Sequence, residues 1–129
     1  MLTELNGHTC VVRAPSGERL TSDEHGILPP LRWLRECPEV LRGADVADTI
    51  IGKAAAMLFA FGGVSSVWAE TMSEPAAAFL EQEGIAFGCG ALVSEIRNKA
   101  GTGLCPMEAR ALPLNHPAEA FRVFDGIIP

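Results

Sequence analysis

The sequence predicts an α/β protein, with a three-layer α/β/α arrangement around a mixed sheet of about five strands. The stretch from Gly43 to Ile85 alternates strand-like and helix-like segments, which favours parallel strands joined by helices. Near the N-terminus, the turn residues Pro15, Ser16 and Gly17 separate two short β-like segments and indicate an antiparallel hairpin. Hydrophobic residues make up 48% of the 129 residues, enough for the core of a single domain over residues 1–129.

Local patterns delimit each element. The apolar residues Ile50, Ala54 and Met57 recur at spacings of three and four, which places them on one face of a helix that Gly62 ends. Proline is expected in the first turn of three later helices, where its missing N–H group costs little. The predicted strands are Thr9–Arg13, Glu18–Thr21, Ala44–Ala47, Ser66–Glu70 and Ile85–Val93, and the predicted helices are Pro29–Glu36, Thr49–Phe61, Glu74–Glu83, a short turn at Ser94–Lys99, Cys105–Ala111 and Pro117–Phe124.

Charge and composition exclude several classes of function. The net charge is −6 and the chain has no basic run, so we expect no nucleic-acid partner. No apolar run approaches the roughly 20 residues of a membrane span, and the N-terminus has no signal-peptide pattern. The four cysteines form no C-x-x-C pair, so we expect free thiols in a cytoplasmic protein. The apolar fraction permits a homo-oligomer.

Two predicted helices begin at the same edge of the sheet, where each follows a parallel strand. Ligands of open α/β sheets bind at this edge, and free N–H groups at helix starts favour anions. Asp48 or Thr49 is expected to cap the first helix and Ser73 the second. We therefore expect a small anionic ligand here, with Lys53 binding its phosphate or carboxylate and Asp48 holding a ribose hydroxyl or pairing with Lys53. Ser73 and Glu74, at the start of the second helix, are further candidates for ligand binding.

Each of these residues also has a purely structural interpretation. Asp48 and Ser73 can serve as helix caps alone, which for Ser73 is the favoured interpretation. Lys53 can be a solvated side chain, and Glu74 a surface charge that complements the helix dipole. Thr102 and Gly103, in a short glycine loop, are further candidates for phosphate contact, although the loop is too generic for a P-loop.

Cys105 is the candidate for covalent chemistry. It follows the loop Gly101–Gly103 and starts a predicted helix, and a helix N-terminus favours the thiolate. Glu108 lies three residues further on, in the same turn, so Cys105, Glu108 and Lys53 are the candidate catalytic residues. The alternative is a small buried residue at a helix start. No histidine is placed by the sequence to act as its base.

The order of elements resembles the cytidine-deaminase-like fold, whose zinc motifs are H-A-E and P-C-x-x-C. The segments IGKAAAM (51–57) and SEPAAAF (73–79) lie where these motifs belong. The resemblance puts Ile51 at the histidine ligand, Lys53 at the proton-shuttling glutamate, and Ala76 and Phe79 at the cysteine ligands. Because zinc needs nitrogen or sulfur ligands, the resemblance implies a deaminase fold without its metal or cofactor.

A closer resemblance exists to the family of domain of unknown function 1893. The segments ADVADTIIGKAAAMLFAFGGV, SEPAAAFLEQEGI and GTGLCPMEARA carry it, over roughly residues 9–124. That family implies a deaminase-like fold lacking the zinc motif. Three hypotheses follow: a module that binds an anionic nucleotide or ribosylated metabolite, a metal-free enzyme that uses Cys105, and an unusual zinc deaminase drawing on Cys89, Cys105 and His116.

Overall fold

The sheet combines one antiparallel hairpin with three parallel strands. In the computed structural model, which describes residues 1–129, the strand order is β2-β1-β3-β4-β5, and six helices accompany it. The strands are β1 (Cys10–Arg13), β2 (Arg19–Ser22), β3 (Asp45–Ile51), β4 (Ser66–Ser73) and β5 (Ala86–Val93). The helices are α1 (Leu28–Glu36), α2 (Pro38–Leu41), α3 (Lys53–Gly62), α4 (Glu74–Gln82), α5 (Pro106–Ala111) and α6 (Pro117–Ile127).

The predicted topology is confirmed for the hairpin and the parallel strands. β1 pairs antiparallel with both β2 and β3, whereas β3, β4 and β5 are parallel neighbours. α3 follows β3 and α4 follows β4, so both helices begin at the same edge of the sheet. Gly63 ends α3 with φ of 81°, a left-handed conformation that glycine adopts without strain.

The boundary between β3 and α3 was predicted wrongly. The strand extends to Ile51 and the helix begins only at Lys53, so Asp48 and Thr49 are strand residues and not helix caps. The reason is that Thr49, Ile50 and Ile51 are β-branched: Ile50 and Ile51 find pairing partners in β4, and the Thr49 N–H donates to the Thr9 carbonyl oxygen. Gly52, at the N-cap, then makes the change of direction.

The segment before α5 also differs from the prediction. Residues 94–99 form no helix; instead, an isolated bridge pairs Arg97 with Leu104 across the glycine loop. The last helix is longer than predicted and reaches Ile127. Its N-cap is His116, and the Glu119 carboxylate accepts hydrogen bonds from the N–H groups of Asn115 and His116.

The helices pack on one face of the sheet, so the predicted third layer is absent. The main core joins all of the helices to alternate strand residues, among them Val12, Val46 and Val67. On the opposite face, Val11 and Ala47 are covered by Leu2 from the N-terminal segment. The connections β3-α3-β4 and β4-α4-β5 have the same hand and step in the same direction along the sheet. They therefore place α3 and α4 on the same face. None of the helices has the length and apolar character that crossing a membrane requires.

Candidate functional site

Glu108 of α5 supplies an internal anion to the start of α3. Its side chain is buried, with 2% exposed. The carboxylate accepts hydrogen bonds from the backbone N–H of Lys53 at 2.8 Å and of Ala54 at 3.1 Å. The Ser73 hydroxyl donates a third bond at 3.0 Å. Glu108 therefore takes donors at the start of α3 that the sequence assigned to an external anion, and it also reaches the start of α4.

Gly52 is required by this arrangement because of space. A Cβ atom at this position would lie 2.7 Å from the Glu108 carboxyl group, closer than real Cβ contacts allow. Its φ of −96° is available to any residue, so close approach and not backbone conformation explains the glycine. The chain thus brings a carboxylate directly against the first turn of α3.

Lys53 is engaged in contacts within the protein. Its Nζ donates to the carbonyl oxygens of Leu112 at 2.8 Å and Leu114 at 2.7 Å, and so ties α3 to the segment after α5. Burial lowers the pKa of the Lys53 ammonium group, and the nearby Glu108 carboxylate opposes that change. Lys53 also lines a groove with Gln82 and Asn115, which encloses about 530 Å³ including space open to solvent.

Ser73 caps α4 as expected, and Glu74 next to it is exposed. The Ser73 Oγ accepts from the Ala76 N–H at 3.2 Å while its own hydroxyl donates to Glu108. The starts of both helices are therefore connected through one buried carboxylate. Neither Ser73 nor Glu74 lines any of the three cavities of the structure.

Asp48 is a buried carboxyl group with an unpaired oxygen. Only 4% of the residue is exposed. Its Oδ1 accepts from the Thr49 N–H at 2.7 Å, whereas Oδ2 is buried and has no hydrogen-bond partner. Burial raises the pKa of Asp48 from 3.8 to about 7, against the opposing effect of the Thr49 N–H and the Cys10 thiol. Cys10 is its partner across the β1–β3 ladder, and burial together with Asp48 raises the pKa of that thiol.

Asp48 lines one end of a cleft that runs along the end of β3. One cavity, of about 420 Å³ including open space, is lined by Asp48, Thr49 and His25. A second cavity, of about 370 Å³, is mostly apolar and has Cys105 and Glu108 among its lining residues. We call the two together the β3 cleft, because they share three lining residues: Gly26, Ile50 and Ile96.

The remaining candidates are divided between the cleft and the surface. Cys105 is half-buried at the N-cap of α5 and lines the apolar end of the cleft. Thr102 lies in an exposed loop, where its N–H donates to the Asn98 side chain at 3.1 Å. Thr102 and Gly103 line none of the cavities. The structure therefore unites Asp48, Cys105 and Glu108 along one cleft and places Lys53 in the neighbouring groove.

The sequence did not identify the residues contributed by distant elements. His25 and Gly26 precede α1, and Ile96 lies in the loop after β5, yet all three line the cleft. Their types carry no functional signal. The partnership of Glu108 with Lys53 spans 55 residues, which only the packing of α5 on α3 reveals. The Gly-Lys pair at 52–53 is the one local signal, because a small residue at a helix start permits a close carboxylate.

The positions aligned with zinc ligands are apolar and buried. Ile51, Ala76 and Phe79 all belong to the main core. Nowhere in the chain do three or more His, Cys, Asp or Glu side chains form a group that could hold a metal ion. All four cysteines are unpaired.

The comparisons with known proteins agree with this fold. The family described as "TM1506: Domain of unknown function (DUF1893)" matches residues 1–128, and the chain therefore belongs to this family. A crystal structure of a DUF1893 family protein from Thermotoga maritima superposes with a TM-score of 0.84. The two chains are 24% identical, and the match covers 94% of this chain and 81% of that one. No curated protein matches the chain.

Proposed function

We propose that this protein binds a small organic ligand, of the size of a nucleoside or ribosylated metabolite, in the β3 cleft. The observation that carries the proposal is the junction of an apolar cavity with a cavity lined by Asp48, whose carboxyl oxygen Oδ2 is buried and unpaired. Binding sites of this kind are concave, mostly apolar and contain a few fixed polar groups. A ring would occupy the apolar end, and polar substituents would face Asp48.

In this proposal the ligand does not bind through free N–H groups of the helix starts, although Gly52, Ala54 and Ala55 at the start of α3 line the apolar end of the cleft. At α3 the Glu108 carboxylate already accepts from two N–H groups, and at α4 the Ser73 side chain accepts from one. A second anion beside Glu108 would be repelled. An anionic group of the ligand would instead be directed to the groove that Lys53 lines with Gln82 and Asn115.

Two substitutions distinguish these locations. Ile96 lines both cavities of the cleft, so the larger side chain of Ile96→Trp should occupy space there. Leu112→Trp should likewise occupy the groove beside Lys53. We expect adenosine to raise the melting temperature by several degrees at saturating concentration, because it binds the folded state alone. Ile96→Trp should abolish this shift and Leu112→Trp should preserve it. If the shift is lost only in Leu112→Trp, or requires adenosine monophosphate, the ligand occupies the groove.

A metal-free enzyme that uses Cys105 is the second candidate function. It is favoured by the position of this half-buried thiol in the wall of the cleft that also contains Glu108. Adenosine should then protect Cys105 from alkylation by iodoacetamide, while Cys37, outside the cavities, keeps its rate. Equal alkylation rates with and without a bound ligand would contradict a thiol in contact with the ligand.

We also propose that the fold is related to that of the cytidine deaminases, without zinc chemistry. The order hairpin, helix, strand, helix, strand, helix, strand supports this relation, as does the common edge at which α3 and α4 begin. The four free thiols support a reducing compartment such as the cytoplasm. Zinc analysis of the purified protein tests the first point, and one bound zinc per chain would contradict it.

A further inference from the structure

We propose that Asp48 is the group that recognises the ligand in the β3 cleft, by accepting a hydrogen bond from a ligand hydroxyl or amino group on Oδ2. This inference rests on the proposed function, and it names the polar contact that selects the ligand. It concerns ligands that donate, and it distinguishes them from the anionic ligand that the sequence suggested.

The Oδ2 atom of Asp48 lacks a hydrogen-bond partner. A buried polar atom without a partner is costly, and folded proteins leave few of them. Asp48 is 4% exposed, and its Oδ2 is fully buried without a hydrogen bond, while Oδ1 is satisfied by the Thr49 N–H. The same residue lines a cavity. A donor group on a ligand in this cavity would supply the missing partner.

The groups around Asp48 leave Oδ2 without a partner. Across the sheet, β1 presents the Cys10 thiol, a weak donor, and the Ile50 N–H is also close to the carboxyl group; both lower the pKa of Asp48, but neither forms a hydrogen bond with Oδ2. On the other side, β4 presents the apolar Ala69 opposite Asp48. His25, in the segment before α1, lines the same cavity but makes no hydrogen bond with Asp48. Glu108 lies in the wall of the other end of the cleft, where it is held by α3 and Ser73.

A protonation equilibrium accompanies this recognition. With a pKa of about 7, free Asp48 is half protonated near neutral pH, and the protonated oxygen cannot accept in the same way from a donor. A donating ligand binds the carboxylate form and displaces the proton. The apparent affinity then scales with the ionised fraction, so adenosine should bind about tenfold more tightly at pH 8 than at pH 6.

The experiment is isothermal titration of adenosine into the wild type and Asp48→Asn at pH 6, 7 and 8. We expect Asp48→Asn to bind roughly 10- to 100-fold more weakly at pH 8, as the loss of a bond to a charged acceptor implies, and to lose the pH dependence. Asp45→Asn is the matched control, since this carboxylate of the same strand bonds to Arg13 and Ser66 and lines no cavity. It should bind as the wild type does.

Three analogues identify the donor. 2′,3′-Dideoxyadenosine lacks the 2′- and 3′-hydroxyls, 5′-deoxyadenosine lacks the 5′-hydroxyl, and purine riboside lacks the amino group. Whichever analogue binds the wild type as weakly as adenosine binds Asp48→Asn has lost the group that contacts Oδ2. If all three analogues bind the wild type as tightly as adenosine does, the inference is overturned.

The remaining outcomes separate this inference from the function on which it rests. Equal adenosine affinity in the wild type and Asp48→Asn, or tighter binding at pH 6, overturns the role of Asp48 and leaves ligand binding in the cleft standing. Absence of adenosine binding to the wild type removes both. Should Asp48→Asn fail to fold, the ¹³C shift of the Asp48 carboxyl group in the wild type decides: added adenosine should lower its titration midpoint, and an unchanged midpoint overturns the inference.

Discussion

Replacement of Glu108 tests whether its carboxylate holds the starts of α3 and α4 together. Glu108→Ala removes the acceptor of three hydrogen bonds, from the N–H groups of Lys53 and Ala54 and from the Ser73 hydroxyl. All of these donors lose their partner in one step. A bond to a charged acceptor contributes roughly 1.5–3 kcal/mol, but such contributions do not add fully when they share one group. We expect the free energy of unfolding to fall by about 3–5 kcal/mol.

Glu108→Gln keeps the shape of the side chain and so isolates the contribution of its charge and of its second oxygen. Oε2 accepts two bonds and Oε1 accepts the third, from Ala54. The amide oxygen can replace Oε2, but the NH₂ group must then face the Ala54 N–H, donor against donor. The lost Ala54 hydrogen bond, the lost negative charge at the start of α3 and the contact between two donors together cost about 2–3 kcal/mol.

Urea denaturation at pH 7, followed by circular dichroism, measures both variants. Glu74→Gln is the control, since Glu74 is an exposed acidic residue in the first turn of α4. It should cost about 0.5 kcal/mol, the contribution of an exposed charge at a helix start. If Glu108→Ala destabilises the protein no more than Glu74→Gln does, the carboxylate does not hold the two helix starts, and the reasoning above is refuted.

Three further predictions concern Asp48, Gly52 and Lys53. Because the pKa of Asp48 is raised to about 7 in the folded state, this state keeps a proton that the unfolded chain loses near pH 3.8, and the free energy of unfolding falls by at most about 4 kcal/mol as pH rises between these values. Urea denaturation at pH 5 and 8 should show this fall in the wild type and not in Asp48→Asn, and the same pH dependence in both proteins would contradict it. Gly52→Ala should lower the free energy of unfolding by about 2 kcal/mol through the clash with Glu108, and by much less in the Glu108→Ala background. A double-mutant cycle measures this difference, and effects that simply add would exclude the contact. Lys53→Met removes two hydrogen bonds and should cost about 1–2 kcal/mol and speed hydrogen exchange at residues 112–116; unchanged exchange there would show that Nζ does not anchor this segment.

The topology was predictable where local patterns and neighbouring elements determine it. The hairpin follows from its Pro-Ser-Gly turn, and the parallel strands follow from alternation with helices. The end of β3 was not predictable from capping rules. Asp48 and Thr49 are good helix caps locally, but pairing of Ile50 and Ile51 with β4 extends the strand beyond them.

The candidate site shows the same division between local and long-range information. Ser73 as the cap of α4 is a local property, and the structure confirms it. That Glu108 bonds to α3, and that Lys53 bonds to carbonyl groups beyond α5, depends on contacts across more than 50 residues. The single helical layer likewise depends on the packing of α1 and α6 against α3, which no periodicity along the chain encodes.

The central claim is that the ligand occupies the β3 cleft and not the groove beside Lys53. The most direct test is a titration of ¹⁵N-labelled protein with adenosine, followed by backbone amide shifts. If the ligand binds in the cleft, the largest changes should cluster at four residues that line it: Gly26, Thr49, Ile50 and Ile96. Changes concentrated at Gln82, Leu112 and Asn115, around the groove beside Lys53, would contradict it.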